Sequence, residues 1–214
     1  MNSCSRAGAA LSAETIVNSR AAKWVAGFDE VGRGCIGGSV IASAVILPEN
    51  ASCAPLLRDS KQLSPAKRER LAKLIKSEAI AWSIGRAEPG EIDRINILQA
   101  SLLAMQRAYK ALKITPHLCL IDGNHTPALP CETRAIIGGD GTVPVISAAS
   151  ILAKTYRDHE MQALDLLFPG YGFSTHKGYP TATHLTALAQ QGPCPIHRRS
   201  FAPVRKISGS TKSA

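Results

Sequence analysis

The chain predicts a mixed α/β fold, with one sheet of five strands flanked by helices. Three observations carry that expectation. Runs rich in Val, Ile and Ala recur at strand length, and helical patterns lie between them. The first connection is short enough for a hairpin, while later ones are long enough for crossovers. The third is a shared ending: three apolar runs stop at acidic residues beside glycine, at Asp29-Glu30, Asp122 and Asp140.

Trp24 to Phe28 reads as a short buried strand, and Gly38 to Leu47 as a second one reached through a glycine-rich turn. Ser64-Pro65 opens a helix over Ala66 to Ile80, with proline at the favoured first position and Leu71, Leu74 and Ile75 at helical spacing. Ala81 to Ala87 is a third strand. Glu91 to Leu112 is the longest helical pattern, with Ile95, Leu98, Leu102, Met105 and Ala108 along one apolar stripe. His117 to Ile121 is an apolar strand ending at Asp122-Gly123-Asn124, and Thr133 to Ile137 is another, ending at Gly138-Gly139-Asp140. Ser147 to Leu167 is helical, with Ser147 at the N-cap. Pro169 to Gly178 reads as a loop and Thr181 to Gln191 as a further helix. The expected organisation is a leader over residues 1–20, a main domain over 21–168, a C-terminal appendage over 169–206 and a disordered tail over 207–214.

Lys and Arg number 25 against 16 Asp and Glu, a net charge of +9 with neutral His. Such an excess favours polyanionic partners through counterion release, although it does not separate nucleic acid from an acidic membrane. No apolar run approaches the roughly 18 residues of a membrane span, so no membrane partner is expected. The six cysteines have no CxxC spacing, which makes a reducing cytoplasm the default compartment.

Two adjacent carboxylates at a strand exit are costly, because like charges disfavour joint ionisation. Four gathered in one cleft require cations, and hard oxygen ligands suit Mg²⁺ or Mn²⁺. Two such ions about 3.5–4 Å apart serve both the attacking water and the leaving oxygen of an in-line phosphoryl displacement. Taken singly, each aspartate is equally a turn residue. Gly32-Arg33-Gly34-Cys35-Ile36-Gly37 also fits GxGxxG, which in a dinucleotide-dependent oxidoreductase needs a helix to follow. The β-branched run after Gly38 argues against that helix.

The motifs DEVGRG (29–34), DSKQLS (59–64), IDGN (121–124), GGDG (138–141), SAASILAKTYRD (147–158) and HKGYPT (176–181) stand in an order that resembles ribonuclease HII. The resemblance runs from about Trp24 to Val204. It implies an RNase H-like mixed five-stranded sheet flanked by helices, with a small C-terminal helical appendage, acting as a monomer. It implies metal-dependent cleavage of RNA in RNA–DNA hybrids and of single ribonucleotides embedded in duplex DNA. Cutting would fall on the 5′ side of the ribonucleotide, leaving 3′-hydroxyl and 5′-phosphate ends.

Carried onto this chain, the four catalytic and metal-binding acids are Asp29, Glu30, Asp122 and Asp140. The backbone sensor falls on Gly32, Arg33 and Gly34, where main-chain groups can reach the 2′-OH that separates RNA from DNA. The junction-reading tyrosine falls on Tyr179. Lys61 and Lys177 resemble backbone-holding positions, and Ser147 and Ser150 near a helix start could also meet an anion. Lys154 and Arg157 read equally as solvated helix charges. Asp158, inside a helix three residues before Met161, reads as a decoy among the candidate metal ligands. His125, His176, His184 and His197 read as structural or surface residues. A catalytically silent nucleic-acid-binding module on the same fold is the alternative in another class. Asp122→Asn is expected to nearly abolish cleavage while leaving hybrid binding intact, as read by parallel nicking and gel-shift assays. Full activity in that variant would remove Asp122 from the site.

Overall fold

The structure, a computed structural model, describes residues 24–57 and 63–210, without the side chains of 209–210. The expected leader, Lys61 and residues 211–214 lie outside the described residues. Strands β1 (Val25–Val31), β2 (Val40–Ile46), β3 (Ala81–Ala87), β4 (Leu118–Asp122) and β5 (Glu132–Ile136) form one sheet in the order β3-β2-β1-β4-β5. β1 to β3 form an antiparallel meander, and β4 and β5 add on in parallel. A single 3₁₀ turn (Ala54–Leu56) and helices α1 (Pro65–Glu78), α2 (Pro89–Ala111), α3 (Gly139–Thr142), α4 (Pro144–Leu167), α5 (Phe173–His176), α6 (Ala182–Gln191) and α7 (Ala202–Ser210) complete the described elements.

Every residue of β2 is buried, because helices cover both faces of the sheet at that strand. Alternation decides which face each side chain serves. Ala42, Ala44 and Ile46 meet Ala100, Ala104 and Ala108 of α2, whereas Val45 turns the other way, toward Leu71 and Ile75 of α1 and Leu152 of α4. β3 lies at the sheet edge and alternates: Ala81, Ser83, Gly85 and Ala87 are buried, while Trp82 and Arg86 are exposed.

β1 differs from its expected span in a way that matters for chemistry. It runs on through Val31 instead of stopping at Phe28, because β2 keeps pairing with it as far as Val31↔Ile41. The parallel ladder with β4 ends earlier, at Phe28↔Ile121. Asp29 and Glu30 are therefore strand residues bonded on one side only, at the place where β1 outruns β4. After Gly37 the chain enters β2, so the helix that a dinucleotide fingerprint needs is not there.

Four other expectations need correction. α4 begins at Pro144 with Val143 as its N-cap, which puts Ser147 inside the first turn instead of at the cap. The expected continuous helix over Glu91 to Leu112 breaks at Asn96, where φ 67° and ψ 168° form a backbone pairing that residues other than glycine rarely adopt. The Asn96 Oδ1 accepts the Gln99 amide at 3.1 Å, capping the segment that follows. The loop expected over Pro169 to Gly178 contains the one-turn helix α5. The tail expected from Ile207 is helical to Ser210, where α7 packs Val204 and Ile207 near Leu188 and Ile36.

A close contact seats α4 on the sheet. A Cβ built at Gly27 would lie 2.3 Å from the carbonyl carbon and oxygen of Val145. Glycine is required there because the opposing atoms are backbone and cannot rotate away. Gly27 shares its strand face with Asp29, so the same contact sets the height of α4 over the acidic end of β1. Gly27→Ala is expected to destabilise the fold by about 1–3 kcal/mol, as overpacking does. Urea unfolding checks it through a lowered midpoint, and cleavage activity should fall in the same variant.

Candidate active site

The C-terminal ends of β1 and β4 and the turn after β5 open into a cleft of about 390 Å³ lined by Asp29, Glu30, Asp122 and Asp140. Opposite them stand Arg68 from α1, Ser150 and Lys154 from α4, and Tyr179. Asp29 and Asp140 are buried, at 7% and 4% exposure. One ligand atom each from Asp29, Asp122 and Asp140 lies within 4.8 Å of the others. Asp122 reaches this point as the last residue of β4. Asp140 arrives differently from the expected strand exit: it sits in the first turn of α3, entered through the left-handed Gly138. The Asp140 amide donates to Asp122 Oδ1 at 3.1 Å, which links the two.

Glu30 lines the cleft but stands apart from the three aspartates. Consecutive strand residues point to opposite faces, so Asp29 and Glu30 cannot turn the same way. Glu30 leans instead toward Arg33, whose Nη1 donates to Oε1 at 3.0 Å. Burial pushes the Asp29 carboxyl well above the usual carboxylate range; a hydrogen bond from Ser150 opposes this, and the charges of Glu30 and Asp122 add to it. Burial raises Glu30 too, against the opposing charge of Arg33.

The other expected residues divide clearly. Gly32, Arg33 and Gly34 form the turn leaving β1, and a Cβ at Gly34 would lie 3.7 Å from the Tyr179 ring. Tyr179 is 43% exposed, with its ring on the cleft wall. Lys177 faces a neighbouring groove that it shares with Arg68, Asp158 and Thr155. Ser147 is buried beneath the site and donates to the Asp140 carbonyl at 2.6 Å, so it steadies an acid from below. Ser150, one turn further along, is the serine that reaches the cleft.

Asp158 is held by two cations, Lys154 at 2.7 Å and Arg68 at 2.9 Å, and is not part of the three-acid group. The i,i+4 spacing made the Lys154 pair readable in advance, but nothing local pointed to Arg68. Arg157 departs furthest from expectation: it is buried at 1% exposure instead of solvated. His176, His184 and His197 are buried together with Tyr171 and Phe173, His176 stacking on His184 with centroids 4.1 Å apart. Burial lowers His184 and His197 to about 4, keeping both rings neutral near pH 7.

Three hard carboxylates converging at one end of a mixed β3-β2-β1-β4-β5 sheet, faced by basic side chains, define a nuclease of the RNase H-like class. The comparisons narrow the class. The ribonuclease HII family model matches residues 26–204, and the chain belongs to that family. It is 58% identical over 183 residues to a ribonuclease HII of Nitrosococcus oceani, covering 86% of this chain and 90% of the relative. Ribonuclease H2 of Pyrococcus horikoshii OT3 superposes with a TM-score of 0.74 at 27% identity, covering 89% of this chain and all of that one. Bst-RNase HIII, solved in complex with Mn²⁺, shares the fold at 17% identity with a TM-score of 0.72, covering 89% of this chain and 71% of that one. The chain is accordingly an RNase H endonuclease, a hydrolase of a family that uses divalent metal ions and acts on RNA–DNA substrates. No helix among the described residues is long and apolar enough to cross a membrane.

The burial of Asp29 predicts a trade between stability and activity. Its folded pKa is raised, so in metal-free protein its ionisation costs stability as pH rises through that value. Asp29→Asn should therefore raise the thermal midpoint of chelator-treated protein at pH 8, with the gain fading in acid and cleavage lost. Each 1 kcal/mol relieved moves the midpoint by about 2–4 °C. Added Mn²⁺ should stabilise the parent more than the variant.

Proposed function

We propose that this endonuclease cuts single ribonucleotides embedded in duplex DNA as well as RNA in RNA–DNA hybrids. The nick falls on the 5′ side of the ribonucleotide and leaves 3′-hydroxyl and 5′-phosphate ends. One observation carries the reading: the Gly34 turn stands beside the ring of Tyr179, which lines the three-acid cleft. A glycine turn brings main-chain groups close to a sugar 2′-OH with no side chain between. The tyrosine beside it offers a flat apolar face to the next sugar, where a deoxyribose fits and a second 2′-OH would clash.

Asp29, Asp122 and Asp140 would hold Mg²⁺ or Mn²⁺, with Glu30 completing the set from the opposite strand face. When bound, two such ions supply a nucleophile at neutral pH and stabilisation of the leaving oxygen. The protein's own groups orient the substrate around them. Gly32 to Gly34 choose the nucleotide, Tyr179 sets the phosphate to be cut, and Ser150 steadies Asp29. Arg68 and Lys154 face the acids across the cleft, and Lys177 lies beyond them. These cations suit the phosphates of the duplex, which position it without reading sequence.

Mapping cleavage on a duplex with one ribonucleotide flanked by DNA tests this. A nick 5′ of the ribonucleotide, dependent on Mg²⁺ or Mn²⁺ and abolished by chelator, is expected. Tyr179→Ala should slow this substrate by roughly 10-fold or more while long hybrids lose less, the size expected for loss of a stacking contact. Cleavage confined to long hybrids would refute the turn-and-tyrosine reading. Cation-independent binding without any nick would favour the silent binding module.

A further inference from the structure

Arg157 occupies an unusual place for an arginine of the long helix α4. It is 1% exposed and serves backbone carbonyls from two separate segments. Nη1 donates to the Ser39 carbonyl and Nη2 to the Gly37 carbonyl at 3.0 Å, both in the connection that follows the Gly32–Gly34 turn. Nη2 also donates to the Lys177 carbonyl at 3.2 Å, two residues before Tyr179. Three left-handed glycines close around the same guanidinium. A Cβ at Gly32 would lie 2.7 Å from its central carbon, one at Gly38 3.3 Å from Nη1, and one at Gly178 3.2 Å from Nη2. The glycines of the two segments are thus shaped around one side chain as much as around a substrate.

Arg198 makes an instructive contrast. Fully buried as well, it donates to Arg33 (3.1 Å), Gly38 (2.9 Å) and Ser39 (3.2 Å), all in the first segment. It braces one side of the junction, whereas Arg157 spans both. The segments also touch directly, the Ile36 amide donating to the Gly178 carbonyl at 2.9 Å.

We propose that Arg157 is the positioning residue that locks the Gly32–Gly34 turn and Tyr179 into one register. Discrimination of a DNA-flanked ribonucleotide from a long hybrid is then set by this buried fork. The inference rests on the role given above to the turn and the tyrosine. Its physical basis is the guanidinium's fixed planar spread of donors, which lets one group hold carbonyls on two strands of chain at once. A lysine keeps the charge but presents a single point and cannot bridge them. A register error of about 1 Å at such a site costs up to 100-fold in rate.

Arg157→Lys, Arg198→Lys and Tyr179→Ala, each compared with the parent protein, test the proposal by two readouts. The first is amide hydrogen exchange over residues 32–39 and 177–179. The second is the ratio of kcat/KM for a single-ribonucleotide duplex to that for a long hybrid, together with the mapped cut position. In Arg157→Lys, exchange should rise by roughly 10-fold or more in both segments while the core of α4 stays protected. The substrate ratio should fall by roughly 10-fold or more, and cuts should scatter. Arg198→Lys should loosen residues 33–39 alone. Unchanged exchange in Arg157→Lys overturns the positioning role. Loosened segments with an unchanged ratio and cut position overturn it too, and Tyr179→Ala then locates the fault. If that variant loses the ratio, only Arg157 was misassigned; if it keeps the ratio, the reading of Tyr179 itself fails. Should Arg157→Lys not fold, Gly178→Ala presses a methyl against the Gly37 carbonyl at 2.6 Å, and the same outcomes decide.

Discussion

Three carboxylates whose ligand atoms lie within 4.8 Å of one another repel, and burial makes that repulsion worse. The arrangement persists because it is built from backbone geometry and not from side-chain preference. β1 extends past the end of its ladder with β4, so Asp29 stands beside the terminal Asp122. A left-handed glycine then turns the chain so that Asp140 meets both. The rest of the site follows from holding these groups together. Ser147 braces the Asp140 carbonyl, Ser150 bonds Asp29, and the face of α4 that carries both serines is seated on Gly27. A divalent cation bound there would relieve the repulsion, and metal binding and stability would then be linked.

Around this acidic point the positive charge is deployed in two ways. Arg68 and Lys154 remain at the cleft rim, where their ion pairs to Asp158 restrain them. Arg157 and Arg198 are buried, spending their donors on carbonyls of the connection between β1 and β2. The strongly basic composition therefore overstates the charge available to a polyanion. Part of it is structural, the hydrogen-bonding mortar of irregular loops that have no ladder of their own.

Much of the architecture was readable in the residues. All five strands and the two long helices lay within a few residues of their expected places, because apolar periodicity and proline or glycine punctuation are local signals. The errors share another cause. Ser147 looked like a cap until Pro144 took the first turn of the helix. The helix expected over Glu91 to Leu112 contains a break that Asn96 alone does not announce. Arg157 looked solvated because its six-residue neighbourhood is polar on both sides; its partners lie 20 to 120 positions away in the chain.

The sequence by itself determined the family and the sheet and singled out the acidic residues as candidates, since each is written in contiguous motifs whose order, taken together, is specific. It could not say how those acids divide. Adjacent in the chain, Asp29 and Glu30 read as a matched pair; strand alternation sends one to the three-aspartate cluster and the other toward Arg33. Only the tertiary structure decided that, together with which serine faces the cleft and which arginine is buried. Those choices depend on where separate segments meet, and the energy of such long-range contacts leaves no periodic trace in the residues that make them.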